Sequence, residues 1–346
     1  MTVYEIDPTR DERWDEFLQN HPVASVFHTR GWLEALRRTY GYQPVAFTTA
    51  APGCPLTDGL AFCQISSWLN RRRLVSLPFS DHCAALVESS EQLASLLGHL
   101  QAKVDRGQWS HIELRTPDLR LPRETAFSES ERFAFHKLDL RPGLNAVFHN
   151  FHKDCIQRKI QRATREGLTY EEGRSESLVT RFYHLLGLTR RRHGLPPPPI
   201  QWFRNLIACL GEKAKIQVAS KAGWPVASIV TLRHKGTLVY KYGCSDRRFS
   251  NLGGTQLLLW NAIQEASDDQ LSEVDLGRSD RGNVGLVAFK DRWGAARTSL
   301  SYFSYPVRHT HGGSGVSRTE IRNYVCSHVP SSILAVAGRV LYKYMG

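Results

Sequence analysis

Residues 273–295 read EVDLGRSDRGNVGLVAFKDRWGA. The stretch begins with a short strand pattern, EVDLG, which brings Asp275 and Arg278 to the strand's end. A glycine-containing loop follows, and then the apolar run LVAF, which stops at Lys290. The stem of a lysine in this position is partly held by the core, so we expect its ammonium to face a cleft or the solvent rim. Because negative charge builds on the oxygen during chemistry at a carbonyl, such a cation marks a candidate site.

The composition sets the size and class of the protein. The chain has 346 residues, of which 41% are hydrophobic and 10% aromatic. We therefore expect a globular protein with two domains of ordinary size rather than a disordered chain. Lys and Arg number 45 against 33 Asp and Glu, a formal net charge of +12. Because the excess lies in short runs, it predicts either a polyanionic partner (nucleic acid, phosphorylated substrate or anionic lipid) or solvated helix faces.

The cysteine and histidine patterns argue against a disulfide framework and a metal site. The seven cysteines are odd in number and never spaced as CxxC, and no HExxH motif occurs among the fourteen histidines. An odd number of scattered cysteines is not typical of disulfide-bridged secreted domains, and the lack of CxxC and HExxH spacing is not typical of zinc proteins. The N-terminus is charged and has no signal-peptide pattern, and no apolar run is long enough to span a bilayer. We predict a cytoplasmic protein without a metal.

The two halves of the chain repeat one order of elements. In each half, a group of strands leads to a helix and then to a similar strand, SHIELR at 110–115 and SEVDLGR at 272–278. This order predicts an internal duplication, two α/β modules of the same topology. The alternative is that chains rich in βαβ units resemble one another at this level of detail.

A basic arm and a basic tail accompany the modules. Residues 148–166 have helical spacing with Lys and Arg on several faces, and a helix at 176–193 follows. The tail has one apolar helical stripe, which lies either on a membrane surface or on the protein itself: Ile333, Val336, Ala337, Val340, Leu341 and Tyr344. The predicted divisions are a first domain at 1–145, the arm at 146–170, a second domain at 171–308, and a linker with the C-terminal helix at 309–346.

Six separated pieces of the chain occur together, in order, in one protein family. The chain resembles the FemAB-type branch of the GNAT (Gcn5-related acyltransferase) superfamily, whose members have tandem GNAT-like domains. The resemblance covers nearly the whole chain and rests on these pieces: FHTRGWLEALRRTYGY (27–42), KDCIQRKIQRATREGL (153–168), LTRRRHGLP (188–196), KYGCSD (241–246), LLWNAIQEA (258–266) and VDLGRS…FKDRWGA (274–295).

The resemblance implies a fold and a reaction. The expected fold is α/β (α+β), two tandem GNAT-like domains with mixed sheets flanked by helices, a substrate groove between or across them, and a C-terminal amphipathic helix. The implied reaction is transfer of an acyl or aminoacyl group to an amine of a phosphate-bearing peptidoglycan or polysaccharide precursor. The donor would be acyl-CoA or aminoacyl-tRNA, with no tightly bound cofactor. The alternative is an acyl-CoA-dependent N-acetyltransferase acting on a small amine or sugar.

The chain departs from the GNAT pattern at one point that concerns the acyl donor. GNAT enzymes that use acyl-CoA hold its pyrophosphate in an RxxGxG/A loop at a helix N-terminus, where backbone amides bind an anion. Here the corresponding stretch is RRFSNLGGTQLLLW, with adjacent Gly253 and Gly254 and no such motif. A Gly-Gly helix start can bind an anion, or it can be an ordinary cap without a ligand.

The resemblance also points to catalytic residues. Phe289 and Lys290 match the pair at the family's transfer site, so Lys290 is a candidate for stabilising the oxyanion or the leaving group; the alternative is a salt bridge to Asp275 or Asp291. Asp275 and Arg278 either orient the acceptor or pair with each other. Asp246 is either a general base or substrate orienter, or a turn cap. No Ser-His-Asp order or Cys-His pair indicates a covalent acyl-enzyme.

Further candidates lie outside that motif. Lys153, Arg158 and Arg162 are candidates for phosphate contact, with a solvated basic face as the alternative. The positions expected to contact substrate are Phe289, Arg278, Tyr242, Trp260, Asn261, Trp32 and His28, although a core role is the plainer explanation of His28 and Trp32. Two other classes stay open: a nucleic-acid-binding protein acting through the arm, possible tRNA binding included, and a membrane-surface protein acting through the tail.

Overall fold

The computed structural model describes residues 1–66, 72–117, 121–122, 125–306, 338–339 and 341–344. Its strands are β1 (Tyr4–Ile6), β2 (Gln43–Thr48), β3 (Leu60–Ile65), β4 (Arg73–Val75), β5 (His111–Leu114), β6 (Ser128–Asp139), β7 (Thr169–Gly173), β8 (Ala214–Lys221), β9 (Trp224–His234), β10 (Thr237–Ser245), β11 (Glu273–Ser279) and β12 (Ala296–Tyr305). Its helices are α1 (Arg13–Asn20), α2 (Arg30–Tyr40), α3 (Ser90–Asp105), α4 (Leu144–His149), α5 (Arg158–Arg165), α6 (Glu176–Arg192), α7 (Ile200–Leu210), α8 (Gly254–Asp268) and α9 (Val284–Asp291).

The described residues fall into two compact units. The first comprises those within Met1–Phe133, Ser299–His311 and Lys343–Gly346, and the second those within Ala134–Thr298 and Gly312–Tyr342. The division thus lies at Phe133 rather than near the predicted position 145, and the arm belongs to the second unit. Phe151, Ile156 and Ile160 of the arm explain this, because they are buried in the second unit's core.

The first unit contains a mixed sheet with the strand order β1-β2-β3-β4-β5-β12. Strands β2, β3 and β4 pair antiparallel, whereas β4 and β5 pair parallel and α3 connects them. The apolar face of α3 packs on the sheet, since leucines of this helix share a buried cluster with Phe47, Phe62 and Trp109. Burying such an amphipathic stripe stabilises both the helix and the sheet below it.

The second unit repeats that arrangement. Its strand order is β6-β11-β10-β9-β8-β7. Strands β8, β9 and β10 pair antiparallel, and β10 and β11 pair parallel with α8 between them. Leu259 and Ile263 of α8 are fully buried in a core that also contains Ile229 and Trp293. The predicted α/β fold with two modules of the same topology is therefore confirmed.

Two segments differ in detail from the sequence prediction. The apolar run LVAF forms the middle of α9, with Val287 buried and Leu286 exposed. The arm is not one continuous helix, because a π-helical turn at Lys153–Gln157 precedes α5. Such turns shift the phase of the side chains that follow, and they occur frequently at functional sites.

The described part of the tail lies against the chain itself. Tyr342 donates a hydrogen bond to the Pro196 carbonyl at 3.3 Å. A Cβ atom at Gly338 would overlap the Pro197 carbonyl oxygen. Of the predicted stripe, Ile333, Val336, Ala337 and Val340 lie outside the described residues. Among the helices described, none is long and apolar enough to cross a membrane.

Candidate functional site

A cleft of about 310 Å³ lies within the second unit. Its walls come from β9, β10, the start of α8, the end of α6, and single faces of α5 and α9. It opens where two parallel strands separate. Strand β10 pairs with β11 only at Thr237, Leu238 and Val239, although β10 continues to Ser245. The residues of β10 beyond Val239 therefore border a gap instead of a neighbouring strand.

A bulge in β10 decides which tyrosine enters this cleft. Residues two apart on a strand normally share a face, but one extra residue reverses this alternation. The register of β10 against β9 shifts between Tyr240 and Tyr242. Tyr240 consequently lines the cleft. Tyr242, which was expected to contact substrate, instead accepts a hydrogen bond from Trp202 Nε1 at 2.9 Å and packs on Phe203. It does not line the cleft.

The Tyr240 side chain occupies space that only glycine leaves free. A Cβ atom at Gly243 would overlap the Tyr240 hydroxyl. Among the described residues, no side chain or backbone group is hydrogen bonded to that hydroxyl. Burial, with a smaller effect of Cys244, raises the pKa of Tyr240. The phenol therefore stays protonated at neutral pH and is available as a donor.

Two helices contribute positively charged side chains to the cleft. Lys159 comes from α5, and Arg192 lies at the end of α6 with His193 directly after it. Neither Lys159 nor Arg192 forms a salt bridge within the described part of the chain. Burial is the largest cause lowering the pKa of His193, followed by Arg192 and Arg190. His193 is therefore neutral at pH 7 and can accept a proton.

The arm packs directly on the start of α8. Gly253 precedes this helix with a φ of +79°. A Cβ atom here would overlap the carbonyl oxygen of Lys159. Glycine at 253 thus permits both the left-handed backbone and the close approach of α5. The amino end of a helix carries partial positive charge. The Lys159 side chain and the start of α8 therefore form one electropositive wall of the cleft.

The predicted phosphate contacts lie elsewhere on the arm. Arg158 pairs with Asp154 at 2.5 Å, and Arg162 lies 3.7 Å from Glu166. Lys153 is exposed within the π-helical turn. None of these three cations lines the cleft. The arm's contribution to the cleft is Lys159, which follows that turn by two residues.

Phe289 and Lys290 have different surroundings. Phe289 lines the cleft, and its predicted contact with substrate stays a prediction. The side chain of Lys290 is directed into the protein, and the residue is only 3% exposed. Its Nζ donates to the carbonyl oxygens of Gly277 and Arg278, each at 2.8 Å. The expectation that this ammonium faces a cleft or the solvent rim was therefore wrong. Consecutive helix residues point in directions about 100° apart, so one faces the cleft while the next anchors α9 on β11.

The predicted carboxylates have structural contacts. Asp246 accepts from the backbone and side chain of Arg248, at 2.9 and 2.7 Å, and begins a short 3₁₀ helix. Hydrogen bonding from Arg248 is the main cause lowering the pKa of Asp246. Asp246 therefore fits a turn cap better than a general base. Asp275 is 1% exposed and accepts from the Gly277 amide at 2.7 Å, across a bulge in β11. Asp291 instead accepts from His136.

The remaining predicted contacts lie away from the cleft. In α8, Trp260 packs between Phe148 and Phe151, and neither Trp260 nor Asn261 lines the cleft. In the first unit, His28 and Trp32 are fully buried. His28 lies 3.1 Å from the Ala84 carbonyl oxygen, which supports the core role. Arg278, half-buried on β11, also does not line the cleft.

The residues around the cleft also bear on two other chemistries, a cysteine nucleophile and a bound metal. Cys244 borders the cleft, but its thiol is directed toward the carbonyls of Phe182 and Ser228, and burial raises its pKa. It is therefore a poor nucleophile. Within the described ranges, no group of three His, Cys, Asp or Glu residues is arranged to hold a metal ion.

Comparisons with known proteins identify a matching domain and similar folds. Residues 151–291 match the family model described as the acetyltransferase (GNAT) domain. The crystal structure of FemX superposes with a TM-score of 0.69 at 13% identity, covering 89% of this chain and 98% of that one. L-PGS from Bacillus licheniformis gives a TM-score of 0.53 at 13% identity, covering 93% and 98%. A tandem GNAT protein from the clavulanic acid biosynthesis pathway gives 0.52 at 9% identity, covering 88% and 97%. No curated protein sequence matched the chain.

The structural likenesses, at such low identity, establish the fold, and the family match establishes the type of domain. That match begins at Phe151, so it includes most of the arm, Lys159 among its residues. It also covers every residue that lines the cleft. Residues 151–291 therefore match a GNAT acetyltransferase domain, the fold is similar to that of FemX, and the two findings together support an acyltransferase.

Proposed function

We propose that this enzyme transfers an acyl or aminoacyl group from a phosphate-bearing donor to an amine of a phosphate-bearing cell-envelope precursor, in the cytoplasm or at the inner membrane face. The observation that carries the proposal is the electropositive wall of the cleft. Lys159, Arg192 and the start of α8 converge there, and such a combination binds phosphate oxygens. The precursor, rather than a free small amine, is proposed from the likeness to FemX and L-PGS.

Another part of the cleft lining suits the acyl group. Phe249, Leu286 and Phe289 provide apolar surface there. An acyl chain next to these side chains and a phosphate next to Lys159 would place the carbonyl between them, beside β10. The acceptor amine would attack that carbonyl directly, because Cys244 is unsuited to form an acyl-enzyme.

Acyl-CoA and aminoacyl-tRNA share the chemistry that this cleft recognises, since both attach an acyl group to a phosphate-bearing carrier. An acyl-CoA-dependent N-acetyltransferase is therefore the second candidate, because the start of α8 can bind an anion although it lacks the RxxGxG/A motif. A purely nucleic-acid-binding role has less support, because Arg158 and Arg162 of the arm are paired with carboxylates. A membrane-surface role for the tail likewise has less support, since Tyr342 contacts Pro196.

Equilibrium dialysis with acetyl-CoA and with aminoacyl-tRNA tests the proposal. The Lys159→Gln/Arg192→Gln double variant should bind the preferred donor at least tenfold more weakly, since a charged hydrogen bond contributes about 1.5–3 kcal/mol. Lys153→Gln is the matched control, because this exposed cation of the same arm does not line the cleft. Equal donor binding by the double variant and the wild type, or no binding of either donor, would refute the proposal.

A further inference from the structure

We propose that the tip of the β8–β9 hairpin, residues 221–224, docks the second unit on a bilayer of anionic phospholipid. The inference goes beyond the proposed function, since this surface lies outside the cleft. Trp224, the first residue of β9, is 72% exposed. An exposed indole is typical of surfaces that meet a bilayer interface or another molecule. Other tryptophans of the described chain are instead buried: Trp14, Trp32, Trp109, Trp202 and Trp293.

The turn of the hairpin holds this indole in place. Ala222 and Gly223 connect the two strands, and both have a positive φ, 49° and 81°. Two-residue turns of this kind match the twist of the strands that they join. Lys221 pairs with Trp224 directly across the turn, so the two side chains share one face of the sheet. A ring and a cation on such a short turn lose little conformational entropy when they enter the headgroup region.

Basic side chains of the arm adjoin the hairpin tip. Lys221 Nζ lies 3.3 Å from the carboxylate of Glu166, the residue that follows α5. Arg162 and Arg165 are three positions apart, so they project from α5 within about 60° of each other. Arg165 is exposed and forms no salt bridge within the described part of the chain. Residues 153–166 contain five cations against two carboxylates. The surface therefore keeps an excess of positive charge, which attracts anionic headgroups.

The other exposed apolar side chains of this part of the chain lie at the rim of the cleft. Between residues 134 and 298, the large apolar residues that are exposed besides Trp224 are Leu188, Val284 and Leu286. Each of the four either lines the cleft or stands within two residues of one that does. Aliphatic side chains enter hydrocarbon readily but give bases no surface for stacking. The rim therefore favours a bilayer over a nucleic acid as the partner of this basic surface.

Sedimentation of the full chain with vesicles, without donor or acceptor, tests this surface. The wild type should bind phosphatidylcholine vesicles that contain phosphatidylglycerol and bind pure phosphatidylcholine much more weakly. Trp224→Ser should weaken binding at least about tenfold, because the indole would bury a large apolar area in the interface. Arg165→Gln should weaken it about fivefold, the usual effect of one cation near an anionic surface. Val23→Ser is the matched control, since Val23 is an exposed apolar residue of the first unit.

Tryptophan emission provides a second measurement. Emission of the wild type should shift to shorter wavelength when anionic vesicles are added, and Trp224→Ser should lack this shift because the indole that enters the interface is gone. The urea midpoint of Trp224→Ser should equal that of the wild type, as expected for an exposed side chain. Arg165→Gln retains the indole, so it tests the charge of the surface separately.

Several results would overturn the proposal: no binding of the wild type to anionic vesicles, wild-type binding by Trp224→Ser or Arg165→Gln, or an equal loss in Val23→Ser. Binding of generic RNA that depends on Trp224, without binding of vesicles, would assign the surface to nucleic acid instead. Trp224 does not line the cleft, so Trp224→Ser should bind the donor as the wild type does. Vesicle binding and donor binding can therefore fail independently, which separates this proposal from the proposed function.

Discussion

Replacement of Lys290 by methionine should destabilise the protein, and the structure gives the size of the effect. Methionine keeps the unbranched shape but removes the ammonium that donates to two carbonyl oxygens. Leaving a buried acceptor without its donor costs about 1–3 kcal/mol, so two acceptors cost about 2–6 kcal/mol. Relief from burying a charge offsets part of this cost. We expect a net loss of about 3 kcal/mol in the free energy of unfolding, against a typical total of about 5–15 kcal/mol.

Urea unfolding followed by tryptophan fluorescence measures this loss. Trp293 is fully buried close to α9 and reports on the second unit. With a dependence on urea of about 3 kcal/mol per molar, the midpoint should fall by about 1 M. Lys153→Met is the matched control, since Lys153 is exposed, and its free energy of unfolding should change by no more than about 0.5 kcal/mol.

The same experiment distinguishes the two roles proposed for Lys290. If Lys290→Met unfolds at the wild-type midpoint but loses acyl transfer, the ammonium stabilises the reacting oxyanion, as the sequence motif suggested, and the anchoring role is wrong. If stability falls as expected, any loss of activity follows from displacement of α9 and of Phe289, which it positions.

Two further predictions concern the turn around the start of α8. Gly253→Ala should lower the unfolding midpoint more than Gly143→Ala, because both have a positive φ but only the new Cβ at 253 overlaps Lys159. Asp246→Asn should reduce the free energy of unfolding at neutral pH but not in acid. The hydrogen bond from Arg248 lowers the pKa of Asp246 in the folded protein below its ordinary 3.8. The ionised carboxylate therefore stabilises the fold above pH 3.8, and this stabilisation is lost as the pH falls through the folded pKa. Urea midpoints between pH 2.5 and 7 would contradict the second prediction if the difference from wild type persisted at the lowest pH.

The order of elements was predictable because it depends on periodicity and burial. The order predicted for the second half, a group of strands, a helix and then the strand at 272–278, corresponds to β8 to β10, α8 and β11. Phe289 lines the cleft, as a large apolar residue beside a polar loop belongs either in a core or in a pocket, and its contact with substrate stays a prediction. Lys159, Arg192 and His193 all lie within quoted motifs, yet no spacing distinguishes the cations that face a cleft from those that face solvent.

The two least predictable features have the same physical origin. Tyr240 and Tyr242 are two residues apart and would share a face in a regular strand. Only the bulge places them on opposite faces, and the sequence pattern does not reveal the bulge. A second bulge, between Asp275 and Gly277 in β11, lies immediately before the carbonyls that bind Lys290. Both irregularities lie in the parallel pair β10–β11, near the point where their pairing stops. A sheet that must separate to admit a substrate loses regular hydrogen bonding there, and bulges re-aim the side chains that border the opening. The residues nearest the chemistry are therefore those whose orientation the alternating pattern predicts least well.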